Sequence, residues 1–114
     1  MSEFLYLYRV AGDVRPNPEQ SQQIMEKWFA WMKQLTDSGN LKDPGQPLEA
    51  DGKTVRGASK TITDGPFFEA KDLVNGYSLI QADDLDHAAR LAQGCPIFEF
   101  DGAVEVRPVR NMDL

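Results

Sequence analysis

The first strand-like stretch, Phe4–Val10, restricts the fold most strongly because apolar side chains occur on both of its sides. Aromatic and branched residues dominate it, as is typical of a β-strand. Side chains alternate between the two faces of a strand, which gives two sets: Phe4, Tyr6, Tyr8 and Val10 on one face, and Leu5 and Leu7 on the other. A sheet with one face in water normally alternates apolar and polar residues. We therefore expect both faces of this strand to be covered.

The next segment carries the clearest helix signals in the chain. Asn17 suits the N-cap, Pro18 suits the first helical position, and Gln20 can complete a capping box. Gly39 provides the stop. At about 100° per residue, one apolar stripe contains Ser21, Ile24, Trp28, Trp31, Met32 and Leu35. The stripe predicts that both tryptophans are core anchors, whereas Phe29 lies outside it and is a candidate contact for a second subunit or a loop.

The middle of the chain predicts a loop, a hairpin and a strand. Asn40–Gly52 is rich in proline and glycine and is predicted to be a loop. Lys53–Arg56 and Lys60–Thr63 are short strand-like runs on either side of Gly57-Ala58-Ser59, which predicts a hairpin. Asn75–Ala82 has the alternation of a further strand.

The last third predicts a second helix and a final strand. Asp83 or Asp84 caps the helix and Gly94 ends it, with an inner face made of Leu85, Ala88, Ala89 and Ala92. Phe98–Phe100, Asp101-Gly102 and Ala103–Val109 give a hairpin signal, of which only Ala103–Val109 is a full strand. Val104 and Val106 should face the core.

This order of elements predicts a single α+β domain over residues 1–114, an antiparallel sheet with two helices on one face. Two helices cover only one side of a sheet. The apolar residues on the other side of the first strand must meet something else, and an identical copy is the commonest solution. We therefore expect a homodimer.

Charge and composition exclude several classes of partner. The net charge is −6 and the isoelectric point is near 4.6, which disfavours nucleic acid because phosphate binding needs a basic surface. The same balance is unfavourable at an anionic membrane, and no apolar run is long enough to cross one. The N-terminus shows no signal peptide, and the single cysteine, Cys95, fits a reducing compartment. We expect a cytoplasmic protein.

The familiar catalytic motifs do not occur in the sequence. It has no P-loop, no dinucleotide fingerprint, no Cys-x-x-Cys and no His-rich metal motif, so we expect neither a metal nor another cofactor. Cys95 follows a helix stop and is predicted to be a buried, inert thiol. His87, the only histidine, is predicted to be exposed and solvated.

One stretch, Thr63–Lys71, combines turn residues with apolar and charged side chains. Gly65 and Pro66 force a turn, and Asp64 before them can accept a backbone N–H in an Asx turn. The alternative is that a cleft is lined here by three charged residues and an aromatic wall: Asp64, Glu69, Lys71 and Phe67. Loops that carry both kinds of group are common sites of function.

Asp64-Gly65-Pro66-Phe67, with Glu69, Lys71, Gly76-Tyr77 and the ending Val104–Val109, resembles the signature of the YCII-related (DGPF-type) domain family. The resemblance implies a ferredoxin-like βαββ(β)αβ domain that pairs into a dimeric α+β barrel. Phe68 and Ala70 differ from the residues that family members commonly carry. Some members have a His-Asp pair whose histidine follows an Arg-Pro, but here Arg15-Pro16 leads into Asn17-Pro18-Glu19. The sequence therefore argues against His-Asp chemistry.

Two functions follow as hypotheses. The first is a small-molecule binding or enzymatic cleft near the signature loop, with these candidate residues: Tyr6, Tyr8, Arg9, Phe67 and Tyr77 as walls, and Asp64, Glu69, Lys71 and Arg107 as polar groups. Asp64 or Glu69 would be the general acid-base group if a reaction occurs. The second is a non-catalytic regulatory or interaction module, because the resemblance implies an association with sigma-factor-dependent transcription.

Overall fold

The computed structural model describes residues 1–11, 16–65 and 72–112 of the chain. Its elements are, in order, β1 (Ser2–Ala11), α1 (Pro18–Asp37), β2 (Leu41–Asp43), β3 (Lys53–Arg56), β4 (Thr61–Asp64), β5 (Asp72–Ala82), α2 (Leu85–Ala92), a 3₁₀ helix (Pro96–Phe100) and β6 (Ala103–Pro108). The expected α+β class is confirmed.

The main sheet has four antiparallel strands in the order β2-β5-β1-β6, with β1 paired to both β5 and β6. This arrangement is consistent with a ferredoxin-like fold. Strand β2 is a correction, because Leu41–Asp43 falls in a segment predicted to be a loop. Its three residues have little strand signal of their own, and pairing with β5 makes them a strand.

Both helices pack on one face of this sheet, as expected. Residues from every layer form a single buried cluster: Phe4, Tyr6, Tyr8, Trp31, Leu35, Ile80, Ala82, Ala88, Ala92, Cys95 and Ile97. The hydroxyl of Tyr6 donates to the carbonyl of Ala88 at 2.6 Å, which joins the centre of the sheet to α2. Val104 and Val106 pack against the cluster, as their alternation on β6 predicted.

Helix α1 is held at its start by local bonds and at its end by the core. The predicted capping box is present: the Asn17 side chain accepts from the Gln20 backbone N–H, and the Gln20 side chain accepts from that of Asn17. Along the predicted stripe, Trp31 and Leu35 are buried and Trp28 is only half-buried. The C-terminal half of α1 therefore docks, while its N-terminal half leaves space above the sheet.

Two predictions about the last third are wrong. Phe98–Phe100 is not a strand arm but part of the 3₁₀ helix, which Pro96 starts and Asp101 ends with φ +57°. Leu85 and Ala89 are exposed, and the inner face of α2 consists of the buried Ala88 and Ala92 with the half-buried Leu91.

His87 is also placed differently from the prediction of a solvated side chain. It is half-buried at the start of α2, where its Nδ1 accepts the backbone N–H of Asp83 at 3.0 Å. The Asp84 carboxylate accepts the His87 backbone N–H at 2.7 Å. Together these two bonds satisfy donors at the helix N-terminus, so His87 has a structural role.

The helix-free face of the sheet carries an apolar centre with an ionic border. Leu5, Leu7 and Leu79 are half-buried there, and Tyr77 is 38% exposed. Beside them, Arg9 donates from Nε to Glu105 at 2.8 Å and from Nη1 to Asp72 at 3.2 Å.

Strands β3 and β4 form a separate two-stranded sheet, as the predicted hairpin requires, but they take no part in the main sheet. Among the described elements, each of the two contacts only the other. Their apolar residues, Val55 and Ile62, lie directly opposite each other and are 63% and 64% exposed. The ribbon therefore projects from the body of the domain.

Candidate functional site

A cleft of about 580 Å³ opens between the N-terminal half of α1 and the sheet. Ligand sites in proteins usually occupy roughly 300–1,000 Å³, so its size suits a small organic molecule. The helix contributes one wall, the loop between β2 and β3 contributes another, and the sheet forms the floor. The main lining residues are Ile24, Met25, Trp28, Phe29, Pro44, Pro47, Tyr8, Val10, Ser78 and Phe100.

The floor of the cleft is aromatic. The rings of Tyr8 and Trp28 meet edge to face, with centroids 4.7 Å apart and planes at 89°. Trp31 contacts both rings from the core side. Such edge-to-face contacts add stability beyond the burial of area and fix the ring orientations. The rings at the floor are therefore held in place before any ligand arrives.

A chain of hydroxyl groups connects the floor to the loop wall. The Tyr8 hydroxyl donates to Ser78 Oγ at 2.8 Å, and Ser78 Oγ donates to the carbonyl of Pro44 at 2.7 Å. Burial raises the pKa of Tyr8 well above the ordinary phenol value, and the hydrogen bond to Ser78 only partly opposes this effect. Tyr8 thus remains a neutral phenol and serves to position the wall.

The loop wall lies directly against β5. Gly45 has φ +69°, and a Cβ on it would fall 1.8 Å from the carbonyl oxygen of Tyr77. Only glycine permits this close approach of two backbones. Two further contacts hold the loop, a bridge between Pro47 and Gly76 and a hydrogen bond from the Leu48 N–H to the Asn75 carbonyl at 2.8 Å.

Two of the sequence-predicted site residues, Tyr8 and Tyr77, are among the residues that line the cleft. Only Tyr8 points to the helix side, because Tyr77 pairs with Leu7 and shares its helix-free face. Tyr6 is fully buried in the core beneath the cleft and does not line it. Arg9 lies on the helix-free face with its two carboxylate partners. Asp64 ends β4 with its side chain 93% exposed and its Oδ1 2.6 Å from Lys53 Nζ.

The remaining candidates, Phe67, Glu69 and Lys71, lie outside the described residues. The turn prediction can be followed as far as Gly65, which has φ +90° and donates its N–H to the Gly52 carbonyl at 2.7 Å. Asp64 pairs with Lys53 at this point.

Sequence reasoning did not identify the helix side and the loop side of the cleft. Trp28 was predicted to be a core anchor, yet its half-buried ring faces the cleft as well. Phe29 gave a usable signal, because it lies off the apolar stripe and is 67% exposed beside the cleft. The loop 44–47 offered only its proline and glycine content, which indicates a turn and not a wall.

A smaller cavity of about 330 Å³ lies near Cys95, Lys27 and Glu99. Cys95 is buried, as predicted, and burial raises its pKa to about 12. A thiol needs to ionise to act as a nucleophile, so Cys95 is inert near neutral pH. Lys27 and Glu99 are joined by an ion pair of 2.6 Å across the cavity rim.

Among residues 1–11, 16–65 and 72–112, no three His, Cys, Asp or Glu side chains lie close enough to hold a metal ion. In the same ranges no helix has the length and hydropathy needed to span a bilayer.

Comparison with known proteins adds one match. The family model described as the YCII-related domain matches residues 3–113, which is nearly the whole chain. No curated protein matches the chain.

Proposed function

The chain belongs to the YCII-related domain family, and we propose that it is a homodimer whose subunits each bind a small organic molecule in the cleft beside α1. The observation that carries the proposal is the form of the cleft: about 580 Å³, largely apolar, with an aromatic floor. Apolar walls with a few polar groups are the usual composition of a ligand site.

Preorganisation of the cleft supports binding. The Tyr8–Ser78–Pro44 hydrogen bonds hold the loop to the floor, and the docked half of α1 fixes the helix wall through Trp31 and Leu35. Groups that are already in position lose little conformational entropy when a ligand binds. The ligand therefore meets a formed site.

The proposal is one of binding, and the described walls of the cleft hold no group that transfers protons near neutral pH. General acid-base catalysis near neutral pH uses mainly histidine, carboxylates and amines. None of these is among the described lining residues, and the pKa of Tyr8 is raised away from neutrality.

Pairing of two subunits through the helix-free face is supported by its apolar centre, formed by Leu5, Leu7, Leu79 and Tyr77. In a symmetric dimer the same patch serves both subunits. The cleft floor is built from Tyr8 and Ser78, whose side chains point to the helix side. Pairing by the opposite face would leave both clefts open to ligand.

A thermal-shift screen of small aromatic and aliphatic metabolites tests the cleft. A ligand at 100 times its dissociation constant stabilises the native state by about 2.7 kcal/mol, which raises the melting temperature by several degrees. Ser21→Trp should abolish the shift, because Ser21 is exposed on the cleft side of α1 and the indole would fill the space. Gln22→Trp is the matched control, since Gln22 is exposed on α1 and does not line the cleft.

The decisive comparison is between the two variants. Compounds that stabilise the wild type and Gln22→Trp but not Ser21→Trp would support the site. If every stabilising compound acted equally on both variants, or if none stabilised the wild type, the cleft would not be a ligand site.

A further inference from the structure

The first clue to the ligand of the cleft is the absence of charge from its described walls. The described lining comprises 19 residues, and none is Asp, Glu, Lys, Arg or His, although 26% of the chain is charged. A charged ligand entering this space would lose water without gaining a partner of opposite sign among the described residues. The walls therefore favour an uncharged molecule.

The second clue is the shape and chemistry of the floor. The rings of Trp28 and Tyr8 are perpendicular, at 89°, so the floor offers aromatic surface in two orientations. Phe29 and Phe100 add aromatic surface on either side. Aromatic rings pair best in offset-stacked or edge-to-face arrangements, which a flat ring system can satisfy against several walls at once.

The third clue is a pair of carboxamides on the loop side. Gln46 and Asn75 both line the cleft and are exposed. Within the described part of the chain neither side chain has a hydrogen-bond partner. The bridge between Pro47 and Gly76 keeps their backbones adjacent. A carboxamide offers both a donor and an acceptor, so two of them match a neutral group that has both.

The polar groups deeper in the cleft do not compete for this role. The Tyr8 hydroxyl already donates to Ser78, and Ser78 already donates to the Pro44 carbonyl. Their donor hydrogens are therefore used within the protein. The described polar lining side chains without a partner are Gln46, Asn75, Tyr77 and Ser21, and of these only the two carboxamides combine an NH₂ donor with a carbonyl acceptor.

From these three observations we infer that the cleft takes an uncharged, flat aromatic molecule that has an amide-like polar edge, held by Gln46 and Asn75 while its rings pack against the Trp28 side of the floor. This inference rests on the proposed binding function and specifies the class of its ligand.

Three probes of the same outline test it: naphthalene-2-carboxamide, naphthalene-2-carboxylate and 2-methylnaphthalene. Affinity is measured by calorimetric titration of the full-length protein at pH 7.5. The carboxamide should bind at least about tenfold more tightly than the carboxylate, because only the anion must lose its hydration without a counter-charge. It should also bind about three- to tenfold more tightly than 2-methylnaphthalene, as neutral hydrogen bonds typically contribute.

Substitutions test whether Gln46 and Asn75 bind the polar edge of the ligand. Gln46→Leu and Asn75→Ala should each lower the affinity for the carboxamide towards that of 2-methylnaphthalene, while 2-methylnaphthalene itself binds as before. Gln22→Leu, an exposed glutamine outside the cleft, should change neither. Both rim residues are exposed, and unchanged melting temperatures of the free variants would show that folding is intact.

Opposite results would separate this inference from the proposed function. Equal or tighter binding of the carboxylate, or an unchanged carboxamide affinity in both rim variants, would overturn the ligand class and leave the cleft as a binding site. If none of the three probes binds the wild type, the inference is also overturned. The metabolite screen with Ser21→Trp then decides the proposed function separately.

Discussion

At the scale of single residues, Tyr8 links the core to the cleft. Its ring packs against Trp28 and Trp31, and its hydroxyl begins the chain of hydrogen bonds that ends at the loop. The same side chain thus contributes to stability and to the shape of the site. Substitutions there should affect both properties.

We predict that Tyr8→Phe lowers the free energy of unfolding by about 1 kcal/mol, the typical contribution of one hydrogen bond. The buried ring would remain, and Ser78 would keep its bond to the Pro44 carbonyl. Urea denaturation measures the change. Tyr77→Phe is the control, because Tyr77 is 38% exposed and its hydroxyl has no partner among the described residues. Equal losses in the two variants would contradict a role for the Tyr8–Ser78 bond.

The ionisation of Glu105 should account for part of the pH dependence of the free energy of unfolding. The hydrogen bond from Arg9 is the main reason that the pKa of Glu105 lies below its ordinary value, with a smaller effect from Arg107. A carboxyl whose pKa is lower in the folded state stabilises the protein above its unfolded pKa, near 4.3. That contribution is lost as the pH falls through the folded pKa.

Glu105→Gln should therefore be less stable than the wild type at pH 7, and the difference should shrink on acidification from about pH 5 to about pH 3. Unfolding free energies measured across this range test the prediction. A difference that stays constant with pH would show that the Arg9–Glu105 pair does not act through its charge.

Single residues of the site were predictable only in part. Tyr8 and Tyr77 follow from aromatic residues in strands. Alternation along β1 already separates Arg9 from Tyr8, because neighbours in a strand point to opposite faces, yet both were assigned to one pocket. Gln46 and Asn75 gave no signal, since an unpaired carboxamide is recognisable only when its surroundings are known.

At the scale of elements, the loop 44–47 owes its position to one glycine. Gly45 combines φ +69° with a backbone approach that leaves no room for a Cβ beside the Tyr77 carbonyl. Gly39, just after α1, has a similar φ of +78° but no atom within 4 Å of the corresponding Cβ position. Substituting Gly39 therefore tests the cost of backbone strain alone, whereas substituting Gly45 adds the steric conflict with β5.

Gly39→Ala should cost about 1–2 kcal/mol, the penalty of the left-handed conformation alone. Gly45→Ala should cost more, because the loop must also move away from β5 and give up the Ser78–Pro44 hydrogen bond. Gly45→Ala should also lower the affinity for any ligand that binds in the cleft. Denaturant titrations compare the stabilities, and similar costs for both variants would contradict the close approach at Gly45.

Elements whose signals are local were predictable, and elements made by distant partners were not. The start of α1 follows from Asn17, Pro18 and Gln20, which act on their own neighbours. Strand β2 exists through pairing with β5. The 3₁₀ helix resembles a strand in composition because Phe98 and Phe100 alternate around Glu99, but Pro96 directs the backbone into a helical turn.

At the scale of the whole molecule, the helix-free face predicts the assembly. We expect the wild type to sediment at twice the chain mass of 12.8 kDa. Leu7→Glu should dissociate it, because Leu7 lies on the central strand of that face and a charge buried between subunits is costly. The loss of pairing would appear as a shift towards 12.8 kDa in analytical ultracentrifugation.

Leu85→Glu is the control for this test. Leu85 is 45% exposed on α2, in the helix layer on the other side of the sheet, so its substitution should leave the sedimentation unchanged. A wild-type protein that sediments as a monomer, or a Leu7→Glu variant that remains dimeric, would contradict pairing through this face.

The ribbon of β3 and β4 leaves and rejoins the domain almost at one point, because the Gly65 N–H donates to the Gly52 carbonyl at 2.7 Å. Among the described helices and strands, β3 and β4 contact only each other. A fluorophore or a grafted peptide could therefore be attached at Ala58, which lies in the turn at the tip of the ribbon and is not among the residues that line the cleft. The same closure means that a two- or three-residue splice could replace the excursion and leave the four-stranded sheet intact.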